Sequence, residues 1–309
     1  MSFETDEFKG SRVLVTGGSG FIGTHLIHAL RELGVREITN IHRGNKPIKE
    51  DACVSHCLCD MSQIESRDVV RKLGAVDYVF NLVGLVDQRM PHSNPEELWN
   101  ANVVTLVNLT QGLNWSTVKG AVHIGTTAEY GNQEVPFCED QELKPTNAYG
   151  WSKAASSLYA MMMTQGGFAK WCVARQFTGY GPGHTAGFIY DITCALKRGE
   201  EFIVSPFSVT RDLVFVGDMV EGMLRLAVAG NAMGEIVNLC SGKEITIGEI
   251  ASIIHGMIGK GSIKLVEREP RKGDFLRSLG DTTKMERLLG WKPAITLEQG
   301  LQITVPTIE

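Results

Sequence analysis

One stretch near the N-terminus, Thr16-Gly17-Gly18-Ser19-Gly20-Phe21-Ile22-Gly23, leaves this chain few folds to adopt. It follows the apolar run Arg12-Val13-Leu14-Val15, which reads as a buried strand, and opens an amphipathic segment that reads as a helix over residues 21–33. Strand, glycine turn and helix are the three parts that a dinucleotide pyrophosphate needs. Gly17 permits the tight turn, Gly20 lets backbone approach the phosphates, and Gly23 lets the helix lie close on the strand. With Ser19, Phe21 and Ile22 between them, these glycines turn the N–H groups and positive dipole end of a helix toward the anion. A bare tight turn also uses glycine, but it needs neither this strand nor this helix. The stretch reads as a dinucleotide-binding loop.

The alternation continues along the chain. Residues 37–42, 54–60, 76–83 and 118–125 read as the second to fifth strands, with a long helix over about 96–113 before the fifth. A helix over about 147–164 and a strand over 170–175 extend the series. Strands and helices at this interval imply right-handed crossovers. The predicted fold is α/β, a Rossmann-like doubly wound parallel sheet with a smaller C-terminal substrate-binding lid. Residues 1–175 form the dinucleotide-binding domain and 176–309 mainly the lid, with a return segment near 211–240 whose last residues, 235–240, rejoin the sheet. A chain of 309 residues suits such an unequal pair. No internal repeat or low-complexity segment interrupts it.

Which dinucleotide binds is decided at the end of the second strand. An acid there would accept both ribose hydroxyls of NAD and repel a 2′-phosphate. His42 and Arg43 stand there instead, and no acid follows until Glu50. Arg43 suits the 2′-phosphate of NADP through charge-assisted bonds, the alternative being an exposed loop arginine and NAD. Asp60 and Met61, past the third strand, fall on the adenine side. Leu82-Val83-Gly84, past the fourth, fall on the ribose and nicotinamide side.

A second constellation is Tyr149-Gly150-Trp151-Ser152-Lys153. Residues four apart share a helix face, so the Tyr149 hydroxyl and the Lys153 ammonium approach one reacting centre. A neighbouring ammonium favours the phenolate and lowers the tyrosine's pKa. Thr126, or Thr127, at the preceding strand end completes the set by holding a substrate oxygen.

Composition excludes other classes. A formal net charge of −5 gives no basic field for nucleic acid, and no long one-signed run appears. The seven cysteines do not carry paired zinc spacing, so they read as strand-borne core thiols with no metal. Neither a signal peptide nor an apolar run of membrane-spanning length is evident, so a cytoplasmic protein with reduced thiols is expected.

Together these motifs resemble those of extended short-chain dehydrogenases/reductases, in the nucleotide-sugar epimerase/dehydratase family, over nearly the whole chain. Residues 16–23 match that family's cofactor loop, Thr126 its catalytic Ser/Thr, and Tyr149 with Lys153 its Tyr-x-x-x-Lys pair. Asn102 resembles the helix asparagine that supports the active site. The stretch from Arg175 to Gly183 is similar to the segment entering the sugar-nucleotide lid, with Thr178 where asparagine is common. Arg211 and Arg271, the latter in Arg271-Lys272-Gly273-Asp274, match the arginines that hold the substrate diphosphate, and Leu289-Gly290-Trp291-Lys292-Pro293 is a further shared feature. A bidentate guanidinium suits phosphate oxygens, although either arginine also suits a surface ion pair. The resemblance implies a nucleotide-diphosphate sugar as partner and a homodimer through two long helices.

Gly125-Thr126-Thr127-Ala128-Glu129-Tyr130-Gly131 is most similar to the reductases of GDP-4-keto-6-deoxymannose and related ketosugars. Dehydratases carry acids where Thr127 and Ala128 stand. Thr127, Glu129, Thr178, Arg211, Arg271 and Asp274 are the expected substrate residues. Glu129 is either a sugar-hydroxyl ligand or a strand-end carboxylate satisfied by backbone, on the face of an extended strand opposite Ala128. The expected activity is NADPH-dependent reduction of a nucleotide-diphosphate 4-keto-6-deoxy sugar at C4. The alternatives are an NAD-dependent UDP-sugar 4-epimerase and a non-catalytic dinucleotide-binding protein.

Overall fold

The computed structural model describes residues 5–44, 52–86, 94–269 and 276–309. The first part of the chain carries β1 (Arg12–Thr16), α1 (Phe21–Glu32), β2 (Glu37–His42), β3 (Val54–Leu58), α2 (Ser66–Lys72), β4 (Tyr78–Asn81), α3 (Pro95–Trp99), α4 (Thr105–Gly112), β5 (Gly120–Thr126), α5 (Ala148–Gln165) and β6 (Trp171–Gln176). The second part carries β7 (Thr178–Tyr180), α6 (Phe188–Lys197), β8 (Glu201–Val204), β9 (Thr210–Arg211), β10 (Leu213–Phe215) and α7 (Val216–Val228). After these come β11 (Ile236–Leu239), β12 (Ile245–Thr246), α8 (Ile247–Ile258), β13 (Ser262–Leu265), α9 (Thr283–Leu289) and α10 (Leu297–Thr304).

A seven-stranded sheet in the order β11-β6-β5-β4-β1-β2-β3 runs through the larger part, every pair parallel. Helices cover both faces, which is why β4 and β5 are buried at every position and read as continuous apolar runs. Alternate side chains of one strand serve opposite cores. Val13 and Val15 pack with Leu26 and Leu30 of α1 and Met223 and Leu224 of α7, whereas Leu14 packs with Leu106 and Leu109 of α4 and Met161 of α5. The strand order reverses between β1 and β4, which opens a crevice at their C-terminal ends.

The smaller part has its own core, formed by Ile189, Ile192 and Leu196 of α6, Ile250 and Ile254 of α8, and Leu301 of α10. Around it lie three two-stranded pieces, β7 with β10, β9 with β12, and β8 with β13. The return segment re-enters the larger part through α7 and β11, the latter pairing with β6.

The single helix expected over 96–113 is instead α3 and α4 joined by a π-helical turn, Asn100–Val104. The cysteines are less uniformly core thiols than expected. Cys172 on β6 is buried, but Cys57 on β3 and its neighbours Cys53 and Cys59 are half-buried, because β3 is the sheet's edge. Among the described residues no group of His, Cys, Asp and Glu is placed to hold a metal, and no helix is long and apolar enough to cross a membrane.

Candidate active site

At the end of β1 the chain turns through Gly17, whose φ of +74° is a left-handed conformation that glycine adopts without strain. Gly17 N–H donates to Ile41 O at 3.1 Å. A Cβ on Gly23 would lie 2.4 Å from Gly17 O, so α1 rests directly on the loop. The first helical bond of α1 is Thr24 N–H to Gly20 O, which leaves the N–H groups of Phe21, Ile22 and Gly23 without intrahelical partners. The side chains of Phe21 and Ile22 serve packing: the Phe21 ring stacks on His184 at 4.5 Å, and Ile22 joins two cores. Sequence reasoning passed over Gly18, whose N–H donates to the buried Asn40 Oδ1 at 3.0 Å and ties the loop to β2. The available signal was an asparagine inside an apolar strand.

A cleft of about 340 Å3 opens beside this loop, at the switch point of the strand order. Its floor includes Gly17, Ser19 and Gly20, its far rim His42 and Arg43, and its near wall Leu82, Val83 and Gly84. Met61, Cys59 and Thr105 complete it. Asp60 does not line it. That carboxylate accepts hydrogen bonds from Ser62 N–H at 2.9 Å and Ser62 Oγ at 2.8 Å, which hold it below the usual carboxylate range and close the turn after β3.

Tyr149 and Lys153 lie on the first turns of α5, which Asn147 caps by accepting Gly150 N–H at 2.8 Å. Thr126 ends β5 opposite them. Burial pushes the Tyr149 phenol up to about 12, opposed by a hydrogen bond from Thr126 and reinforced by the charge of Glu129. Burial also pulls Lys153 down to about 8, against the charge of Glu129. The expectation that Lys153 lowers the tyrosine's pKa is corrected here: its ammonium donates to Ile124 O, and burial dominates.

Asn102, in the π-helical turn, accepts Leu85 N–H at 2.9 Å and donates to Leu85 O at 3.1 Å and Ser152 Oγ at 2.8 Å. It fastens the loop after β4 to α5.

Glu129 is not a sugar ligand. After Thr126 the strand gives way to a 3-10 turn, Thr127–Glu129, closed by a capping box, so the expected extended register for Ala128 and Glu129 is wrong. The turn carries the Glu129 side chain inward to full burial. Its Oε1 accepts Thr126 N–H at 2.8 Å and Ser157 Oγ–H at 3.0 Å, and its Oε2 accepts Arg175 Nε–H at 3.0 Å and pairs with Arg175 Nη2 at 2.9 Å. A carboxylate so engaged has no oxygen to offer a substrate. Thr127 remains half-buried and Ala128 is buried.

A buried polar chain crosses the sheet beneath this site. Thr16 Oγ1 donates to Asn81 Oδ1 at 2.6 Å, and Asn81 Nδ2 donates to His123 Nδ1 at 3.0 Å. His123 Nε2 then donates to Ser156 Oγ at 3.0 Å, and Ser156 donates to Lys153 O at 2.8 Å. The order of donors fixes His123 as neutral, and burial followed by the Lys153 charge drives its pKa well below 6.5. Neither His123 nor Arg175 was singled out in sequence for this role. Each is a polar residue inside an apolar run, which requires a buried partner.

Of the remaining expected substrate residues, Thr178 begins β7 and Arg211, on β9, donates to Thr210 O at 2.7 Å; both are half-buried. Arg271 and Asp274 lie outside the described residues.

Known proteins resemble this chain throughout. A family model described as NAD dependent epimerase/dehydratase family matches residues 13–240. A putative UDP-glucose 4-epimerase from Methanocaldococcus jannaschii is 30% identical, over 95% of this chain and 97% of its own. Among solved structures, a UDP-glucose 4-epimerase from Thermotoga maritima with UDP-glucose has a TM-score of 0.87 at 27% identity, covering 96% of this chain and 98% of that one. A dTDP-glucose 4,6-dehydratase from Bacillus anthracis in complex with NAD has a TM-score of 0.84 at 25% identity, covering 96% of each chain.

Proposed function

Because this chain belongs to the NAD dependent epimerase/dehydratase family, we propose that it acts at C4 of a nucleotide-diphosphate sugar, by NADPH-dependent reduction of a 4-keto-6-deoxy sugar. The observation that carries this reading is the meeting of Thr126, Tyr149 and Lys153 at the β5–α5 junction, with Thr127 and Ala128 where acid groups would serve elimination.

The residues of the cleft fit a dinucleotide: a glycine floor, a helix N-terminus and a basic rim. Arg43 takes the 2′-phosphate through its guanidinium, with His42 beside it. When bound, the nicotinamide supplies the hydride. Tyr149 gives its proton to the oxygen growing negative at C4. Thr126 orients that oxygen, and Lys153 supplies a positive charge and holds the nicotinamide ribose. We assign Arg211 and Arg271 to the diphosphate, and Thr127, Thr178 and Asp274 to the sugar. Asn102 keeps the loop after β4 in place. The free thiols suit a reducing cytoplasm. Two copies pair across the exposed apolar face of α5, formed by Trp151, Leu158 and Met162 with Trp99 of α3 beside it.

A second reading, a UDP-sugar 4-epimerase with retained NAD, is favoured by the relative that is 30% identical. One preparation separates the two. The purified protein is denatured and its released nucleotides are quantified, and the native protein is given NADPH with a panel of nucleotide 4-keto-6-deoxy sugars. Substrate-dependent NADPH oxidation supports the reductase. Stoichiometric NAD release with no NADPH oxidation supports the epimerase.

A further inference from the structure

We propose that the buried Glu129–Arg175 pair is a positioning device, which fixes Thr126 and α5 against each other and sets one negative charge facing Tyr149 and Lys153. The four hydrogen bonds of Glu129 reach three separate elements. Oε1 holds the Thr126 main chain at the end of β5 and Ser157, one helical turn beyond Lys153 on α5. Oε2 holds the fork of Arg175 on β6. Arg175 in turn lies over the Tyr130 ring at 4.5 Å, and Tyr130 donates to Asn238 Oδ1 on β11 at 2.7 Å. Adjacent elements are thus locked in register by one carboxylate, at the point where Thr126 must meet Tyr149.

The pair also has a polarity. Arg175 sits on the far side of the carboxylate, with Nη1 buried and unpartnered, so Oε1 presents its charge toward α5. Among the described residues, Glu129 and His123 face Lys153, Thr126 and Glu129 face Tyr149, and Arg175 stands behind Glu129. His123 is neutral, which leaves Glu129 as the counter-charge that opposes the loss of the Lys153 proton. Without that charge, burial alone acts on Lys153 and its ammonium gives up the proton more readily. This role rests on the reading of Tyr149 and Lys153 as reacting groups, but its test reads an ionisation and needs no turnover.

The test is an NMR titration of lysine labelled at Cε and Nζ, with the Lys153 resonance assigned by its loss in Lys153→Arg. In the wild-type protein Lys153 should titrate near pH 8. Glu129→Gln keeps the shape and removes the charge, so the Lys153 midpoint should fall by about one pH unit or more. Glu129→Asp restores the charge and should return the midpoint toward the wild-type value. If Glu129→Gln does not fold, Glu129→Gln with Arg175→Met leaves no buried ion unpaired, and because Arg175 stands behind the carboxylate the midpoint should still fall, by less than in the single variant. A midpoint unchanged within about 0.3 units in the folded variant shows that Glu129 does not act on Lys153 and overturns the proposal.

Discussion

Gly23→Ala should damage cofactor binding from beneath the cleft, through packing alone. The added Cβ would lie 2.4 Å from Gly17 O and 2.6 Å from Gly18 Cα, about 1 Å inside ordinary contact. All the opposing atoms are backbone, so no side chain can swing aside and either α1 or the loop must retreat. Overpacking of this kind costs about 1–3 kcal/mol. At roughly 2–4 °C per kcal/mol, the melting temperature should fall by roughly 2–12 °C. The retreat also carries the helix N–H groups away from a phosphate. Losing one hydrogen bond to a charged group costs about 1.5–3 kcal/mol, so dinucleotide affinity should drop at least ~10-fold. Gly20→Ala is the control: its Cβ would meet Gly17 O at 3.2 Å, which small shifts relieve, but it would project into the cleft. It should bind poorly and melt within about 2 °C of the wild type, since its strain is well below 1 kcal/mol. Calorimetric titration with NADP and a thermal melt read both variants. Wild-type affinity and an unchanged melt in Gly23→Ala would refute the packing argument.

Tyr149→Phe keeps the ring and removes the proton donor, so turnover should fall roughly 100-fold or more while NADP affinity in calorimetry is unchanged; near-normal turnover would remove Tyr149 from the chemistry. Arg43→Asp repels a 2′-phosphate and accepts ribose hydroxyls, so the ratio of NADP to NAD affinity should move toward NAD by at least tenfold, about 1.4 kcal/mol. A tenfold preference of the wild type for NAD would contradict the role given to Arg43. His123 is neutral in the fold, with a pKa far below 6.5, whereas in the unfolded chain it takes a proton as pH falls through about 6.5. The stability it confers is present above that value and is lost on acidification, by about 1.4 kcal/mol between pH 7.5 and 5.5. His123→Gln should lack that increment in urea unfolding at pH 7.5 and 5.5, and equal losses in both proteins would refute it.

What the sequence made legible was local. The glycine loop declares itself because turn, strand and helix are adjacent in the chain, and Tyr149 with Lys153 because helical spacing alone puts them on one face. Glu129 was ambiguous because its direction depends on where β5 stops. A three-residue 3-10 turn, Thr127–Glu129, in place of extended strand sends the carboxylate inward. The polar chain through Asn81 and His123 was hidden for another reason. It is a line across strands, visible only once β1, β4 and β5 are known to be neighbours. Lys153 was assigned a neighbour by spacing, but burial and the Ile124 carbonyl on β5 set its direction and its charge.

The central claim is hydride transfer at C4 by the Thr126–Tyr149–Lys153 site, without elimination. Its most direct test is to supply NADPH deuterated at the transferable position with a nucleotide 4-keto-6-deoxy sugar, and with its 6-hydroxy parent in a parallel reaction. Mass spectrometry and NMR then locate the label. The account predicts one deuterium at C4 of the reduced sugar and an unchanged parent. A parent lighter by one water, or a reduced sugar without deuterium at C4, would contradict it.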